Sequence, residues 1–224
     1  MSPSSPADPI VWIDCEMTGL DAERDSLVEV AVVVTDSHLN PLDAGLDLVI
    51  APRPGTVETM DEVVVQMHTA SGLITELDSG LEMADAAEQV LAYVKRFVPE
   101  VRRAPLAGNS VGTDRVFLAR DMPEVVEHLH YRIIDVSSIK ELARRWFPRA
   151  YFQSPQKSGG HRALADILES IDELRYYRAV LWPEGAGPTT SEARAAAKLV
   201  SERPTSAAIA ALGRDTPSST PSTD

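Results

Sequence analysis

Apolar positions along the chain change their spacing near Met60. Before that point they fall in short blocks. Ile10-Val-Trp-Ile-Asp-Cys-Glu16 is apolar apart from two acids and ends at a Thr-Gly turn, which predicts a buried strand. Leu27 to Thr35, LVEVAVVVT, is rich in β-branched residues and predicts a second strand, and Asp47 to Ile50 ends a third. The short connections suit an antiparallel meander. After Met60 the spacing is helical, most clearly over residues 83–98, MADAAEQVLAYVKRFV. Pro105 to Gly108 predicts a short strand ending in a Gly-Asn turn, Asp114 to Asp121 a helix, and Tyr131 to Asp135 another strand. Ser137 is placed to cap the next helix, which holds Glu141 in its first turns and runs to Trp146. A Gln/Pro/Ser/Gly loop at 153–160 precedes a long amphipathic helix from His161 to Leu181. Strands first and a βαβα run afterwards make the class α/β: a mixed sheet with antiparallel first three strands, flanked by α-helices.

This pattern divides the chain into a Ser/Pro-rich disordered lead at 1–8, one domain at 9–182, and a Pro/Ser/Thr/Ala-rich tail at 183–224. The tail is expected to be largely disordered, with one short helix from Ala193 to Ser201. No internal repeat is visible. A length of 224 residues suits one domain with a tail, and 44% hydrophobic residues supply a sizeable core. No apolar run reaches the roughly 20 residues that cross a bilayer. The start, MSPSSPADP, lacks the basic and apolar segments of a signal peptide. Cys15 is the only cysteine, so no intramolecular disulfide can form. These features lead to the expectation of a cytoplasmic protein without membrane association.

A net charge of −13 argues against a broad basic face that grips long duplexes. It leaves room for a short nucleic acid held through metal ions and a few specific contacts, and part of the charge is accounted for if a carboxylate cluster awaits cations.

Asp14 and Glu16 stand two apart on the first strand, so both carboxylates face the same way. Unpaired acids in an apolar strand must be paired, protonated or bound to metal. Hard oxygen ligands suit Mg²⁺ or Mn²⁺. The plain alternative is an edge strand with one solvent face; Val11, Trp12, Ile13 and Cys15 argue instead for burial on both faces. Cys15, by alternation, belongs to the core. Asp114 has an ordinary reading as a helix cap, Asp166 as an acid favoured near a helix start, and His161 as an exposed residue at a helix entry.

Taken together these positions acquire a pattern. Ile13-Asp-Cys-Glu-Met-Thr-Gly19, Gly108-Asn-Ser-Val-Gly-Thr-Asp114 and His161-Arg-Ala-Leu-Ala-Asp166 resemble the three exonuclease motifs of the DEDDh family, which has a ribonuclease-H-like fold. WIDCEMTGL, HTASGL, HYRIIDVSSIKELARRW and ADILESIDELRYYR are similar, more narrowly, to the members of that family that degrade oligoribonucleotides. The likeness spans Pro9 to Tyr177 and does not reach the tail.

The resemblance implies that Asp14, Glu16, Asp114 and Asp166 bind two divalent cations, Mg²⁺ or Mn²⁺, and that His161 is the general base. A neutral imidazole is suited to taking a proton from water near neutral pH. It further implies substrate contacts: Leu20 wedging against the last bases, His68 on the 3′ nucleotide, Ser110, Arg132 and Ser137 capping the 5′ phosphate, and Tyr131 reaching the site across a homodimer interface. A guanidinium with hydroxyls is a sound phosphate clamp. Without the resemblance, Leu20 reads as a turn hydrophobe and Arg132 as half of a surface salt bridge. One departure concerns Met60-Asp-Glu-Val63: some family members carry Trp where this chain has Val63, and base stacking of about 1–3 kcal/mol is in question there.

The expected function is a 3′→5′ exoribonuclease for short single-stranded RNA, dinucleotides above all, including linear dinucleotides derived from cyclic dinucleotide signals. The competing readings are a DNA-trimming exonuclease of the same superfamily, a non-catalytic nucleic-acid adaptor with a relic site, and a metal-dependent phosphatase.

Overall fold

The computed structural model describes residues 8–156, 160–182, 185 and 187–212. The expectations for the first seven residues, for 157–159 of the loop and for 215–224 lie outside the described residues. The chain divides into two units, Met1–Leu181 and Trp182–Asp224.

The first unit holds one five-stranded sheet in the order β3-β2-β1-β4-β5. Its strands are β1 (Ile10–Met17), β2 (Leu27–Thr35), β3 (Leu46–Val49), β4 (Pro105–Gly108) and β5 (His130–Asp135). β1 to β3 pair antiparallel, whereas β4 pairs parallel with both β1 and β5. The mixed sheet and its antiparallel start are as the pattern predicts.

β1 is a central strand, so the edge-strand reading of its two acids is overturned. All nine residues of β2 are buried, because both faces of the sheet are covered. On one face Val11, Ile13 and Cys15 join Val30, Val32 and Val34 in a core with α2 (Met83–Phe97) and α3 (Gly112–Asp121). On the other, Ile10, Trp12, Ala31 and Val33 join residues of α5 (Val136–Trp146) and α7 (Ala163–Leu181), among them Ala143, Ile167 and Ile171. Trp12 is fully buried there, and its indole N–H donates to Thr35 Oγ1 at 3.0 Å, which removes the cost of burying that polar atom.

Helix α1 (Glu62–Ala70) follows the meander. Two short helices were not legible: α4 (Pro123–His128) and α6 (Pro148–Phe152). Both are too short to display a helical period. Each opens on a proline, whose fixed φ and missing N–H suit a first turn. Two boundaries are corrected. α3 begins at Gly112, so Asp114 lies inside its first turn rather than capping it. α7 begins at Ala163, which leaves His161 in the preceding connection. Ser137 is not the cap of α5 either: Asp135 is, its carboxylate accepting the Ser137 amide at 3.0 Å.

In the second unit α8 (Thr190–Glu202) starts three residues before the expected Ala193, because Thr189 and Glu192 form a capping box. α9 (Thr205–Leu212) follows it. Among the described residues no helix is long and apolar enough to cross a membrane.

Candidate active site

Strand alternation puts Asp14 and Glu16 on the sheet face that carries Ile10 and Trp12, toward α7. β1 pairs with β4 only at Val11 and Trp12. It therefore runs on past the end of β4, and the amide of Cys15 bonds elsewhere, donating to Asp114 Oδ1 at 3.0 Å. That bond ties α3 to β1 and fixes the Asp114 carboxylate beside the two strand acids. The β1–β2 register shifts between Glu16 and Met17, a bulge at the point where the strand leaves the site. Cys15 lies in the opposite core, as alternation predicts.

The last two residues arrive from the start of α7. Glu16, His161 and Asp166 each offer a ligand atom, and these atoms lie within 4.8 Å of one another. His161 is exposed and in the left-handed backbone region, φ 45°. Its neighbours hold it there. Arg162 bonds Glu29 Oε1 at 2.7 Å and spans both carboxylate oxygens of Glu76 at 2.9 and 3.1 Å. The Ala163 amide donates to Glu29 Oε2 at 3.0 Å. Glu29 is fully buried on β2, directly across the ladder from Glu16.

The electrostatics are those of crowded carboxylates. Burial, followed by the negative charges of Asp166, Glu29 and Asp114, pushes the Glu16 carboxyl up to about 8. Burial pushes Asp114 up to about 6 against the pull of the Cys15 amide. Burial also raises Glu29, offset by the Ala163 amide and Arg162. Protons occupy what cations would otherwise neutralise.

His68, on α1, is wholly buried. Its Nε2 lies 2.9 Å from the Met17 carbonyl, which can only accept, so Nε2 carries the proton. Nδ1 makes no hydrogen bond and lies 3.9 Å from Glu16 Oε2. Burial lowers the pKa of the ring, keeping it neutral. Leu20 is exposed on the turn after Gly19. A β-carbon at Gly19 would stand 2.3 Å from Asp25 Oδ2, the atom that accepts the Asp21 amide, so a larger residue there would displace the carboxylate that closes this turn. Val63 is exposed on α1.

A second cluster forms where β4 and β5 end. Ser110, with φ 53°, donates its amide to Asp135 Oδ1 at 2.9 Å, and its hydroxyl lies 3.1 Å from that of Ser137. Tyr131 and Arg132 are exposed on β5, the guanidinium over the Tyr131 ring at 5.6 Å. The structure thus brings Glu16, His161 and Asp166 together, with Asp114 bonded to β1, and separately joins Ser110 to Ser137. Sequence reasoning missed Glu29, Arg162 and Asn109. Glu29 carried a usable signal, since it is a lone acid within LVEVAVVVT, the same anomaly that marked Asp14 and Glu16.

Carboxylates gathered with a histidine on a mixed, helix-covered sheet are a donor set that could hold a divalent cation, and the family that the chain matches is one of nucleases. The family model described as "Exonuclease" matches residues 11–174. Structures of exonuclease I share the ribonuclease-H-like fold. That from Escherichia coli with a dA16 oligonucleotide has a TM-score of 0.59 at 15% identity, covering 78% of this chain and 41% of its own, and that from Methylocaldum szegediense has 0.53 at 20%. Curated relatives are much nearer in sequence. The oligoribonuclease of Streptomyces griseus is 62% identical over 194 residues, 87% of this chain and 96% of its own. That of Leifsonia xyli is 57% identical over 197 residues, 88% of this chain and 95% of its own. The chain belongs to the exonuclease family and, within it, to the oligoribonucleases.

Proposed function

We propose that the protein is a 3′→5′ exoribonuclease that degrades oligoribonucleotides of about two to five units, dinucleotides above all, to nucleoside 5′-monophosphates, a length range that suits a clamp on the 5′ phosphate. The observation that carries this reading is the convergence of Glu16, His161 and Asp166 within 4.8 Å, with Asp114 fixed alongside by the Cys15 amide.

The donor set fits divalent cations. Asp14, Glu16, Asp114 and Asp166 supply hard oxygens, and the elevated Glu16 carboxyl is what a buried cluster shows when its charge is uncompensated. Mg²⁺ or Mn²⁺ is proposed, and two such ions would activate the attacking water and stabilise the leaving 3′ oxygen. His161, exposed yet anchored by its neighbours, takes the proton from that water as general base. Leu20, projecting from its turn, abuts the last bases. His68, expected on the 3′ nucleotide, is buried with Nδ1 3.9 Å from Glu16 Oε2, so contact with the nucleotide requires the loop over it to open. Arg132 and the hydroxyls of Ser110 and Ser137 bind the 5′ phosphate. Linear dinucleotides derived from cyclic dinucleotide signals suit the same pocket. The location proposed is the cytoplasm.

A homodimer is part of the proposal. β5, the outer strand of the sheet, exposes Tyr131 (66%), and the ends of α5 and α6 expose Trp146 (65%) and Phe152 (72%), large apolar side chains that a second copy would cover. Tyr131 then reaches the partner's site.

The test is a length series of 5′-phosphorylated RNAs and a matching DNA dinucleotide, assayed with Mn²⁺ or Mg²⁺ and with chelator. Mononucleotide release falling steeply with length is expected. Equal rates on dimers and long chains would remove the clamp, and release of inorganic phosphate would favour a phosphatase.

A further inference from the structure

Asn109 bonds directly to Ser137 of the second cluster and, through Ser170, connects to the helix that carries Asp166. Its amide nitrogen donates to Ser170 Oγ at 2.8 Å and to Glu173 Oε2 at 3.1 Å. Its oxygen accepts the Ser137 hydroxyl at 3.0 Å. Ser170 and Glu173 belong to α7 and are both buried. Ser170 in turn donates to the carbonyl of Asp166 at 2.7 Å, and Glu173 holds Lys140 Nζ at 3.1 Å. The Ser170 hydrogen is spent on that carbonyl, so its oxygen can only accept from Asn109. With an acceptor on each side of its NH₂ group, the Asn109 amide cannot flip.

That fixed orientation propagates. Asn109 Oδ1 must face Ser137, so the Ser137 hydrogen points inward at Asn109. In the Ser110–Ser137 pair the donor is therefore Ser110. Ser110 rests with its one hydroxyl hydrogen on Ser137 Oγ and can turn it outward to a phosphate oxygen by giving up that bond, so Ser137 sets its resting place and orientation. The route Asp166–Ser170–Asn109–Ser137–Ser110 is an unbroken line of hydrogen bonds between the catalytic helix and the second cluster. The network is buried at Ser170 and Glu173, half-buried at Asn109 and Ser137, and reaches the surface at Ser110; its joined bonds restrain the groups they connect.

We propose that Asn109 is a positioning residue that sets the 5′-end pocket at a fixed place relative to the catalytic helix, and so determines how strongly the enzyme prefers a 5′-phosphorylated dinucleotide. The inference rests on the reading of Ser110, Arg132 and Ser137 as the 5′-phosphate pocket. Asn109 itself touches no substrate; it acts through Ser137 and Ser110.

The experiment compares kcat/KM for a dinucleotide with and without its 5′ phosphate in the wild-type protein, Asn109→Leu and Ser170→Ala, with melting temperatures measured alongside. The wild type is expected to prefer the phosphorylated form. Asn109→Leu should cut kcat/KM on that form about tenfold, the lower range for a hydrogen bond to a charged group, with the rate on the unphosphorylated dinucleotide retained. Ser170→Ala, which leaves the Glu173 bond in place, should lose part of the preference and serves if Asn109→Leu fails to fold. A preference kept at the wild-type ratio in folded variants, or equal losses on both substrates, overturns the inference while leaving the pocket standing. A wild type without any 5′-phosphate preference overturns the pocket itself.

Discussion

The amide of Ala163 donates to Oε2 of Glu29, and Oε1 of the same carboxylate holds Arg162, the residue between Ala163 and His161. One buried acid thus fixes both the start of α7 and the turn that presents His161. Arg162→Ala leaves Glu29 without its cation. Glu29 is fully buried but Arg162 is partly exposed, so the cost falls between a surface pair and a buried one, about 2 kcal/mol. The Glu76 side chain is 43% exposed, and Glu76→Gln should cost less, about 0.5 kcal/mol. Urea unfolding of the metal-free protein measures both. Equal losses in the two variants would show that Glu29 is not the anchor.

His161 and Asp166 share a cluster but are assigned different work, and the difference is measurable. His161→Ala removes a base and should lower kcat by a factor on the order of 10² to 10⁴. It leaves the four carboxylates intact, so Mn²⁺ should still raise the melting temperature. Asp166→Asn removes a ligand and should abolish both the activity and much of the Mn²⁺-induced rise. A His161→Ala protein with wild-type kcat would refute the base assignment.

Glu16 and Asp114 make metal-free stability depend on pH. Their carboxyls titrate at about 8 and about 6 in the folded protein against ordinary values of 4.5 and 3.8. Between about 4.5 and 8 the folded protein keeps a proton on Glu16 that the unfolded chain has lost. Unfolding releases that proton, so this contribution is complete below pH 4.5 and is lost as pH rises through 8. Asp114 acts in the same sense from about 3.8 to about 6. The melting temperature of the metal-free protein should therefore fall between pH 6 and pH 8, and Glu16→Gln should flatten the fall. Because protons compete with cations, Mn²⁺ should stabilise more at pH 8 than at pH 6. A melting temperature that rises with pH over this range, in chelator, would contradict the cluster's electrostatics.

Much of this arrangement was legible in the chain. β2 was bounded correctly because eight of its nine positions are apolar or β-branched, and the pair Asp14 and Glu16 stood out because acids are costly in an apolar strand. Asp114 and His161 were legible only as members of motifs. Their local patterns fit a cap and a helix entry, and the forces that place them, the Cys15 amide and the Glu29 anchor, act across 99 and more than 130 residues of chain. Periodicity carries no information about such contacts. Asn109 escaped for the same reason: it sits in a Gly-Asn turn where asparagine is commonplace, and its partners Ser170 and Glu173 lie more than 60 residues away.

The exposed face on β5, α5 and α6 yields the last prediction. Trp146, Phe147 and Phe152 follow one another closely where α5 gives way to α6, and Tyr131 and Ile133 occupy the sheet edge. Single exposed hydrophobes are ordinary, but several large ones beside an unpaired strand edge form a surface that water covers at a cost. If a second copy covers it, Trp146→Glu places a charge in a buried apolar contact and should shift sedimentation at micromolar concentration from dimer to monomer. Since Trp146 contributes nothing to the metal cluster, the fold and the Mn²⁺-induced rise in melting temperature should persist. Activity should fall, because Tyr131 of each copy would no longer reach the other's site. Tyr131→Ala should lower activity without dissociating the dimer, which separates the contribution of the side chain from that of assembly. A fully active monomer, in the wild type or in Trp146→Glu, would rule the interface out and return Tyr131 to the surface of its own chain.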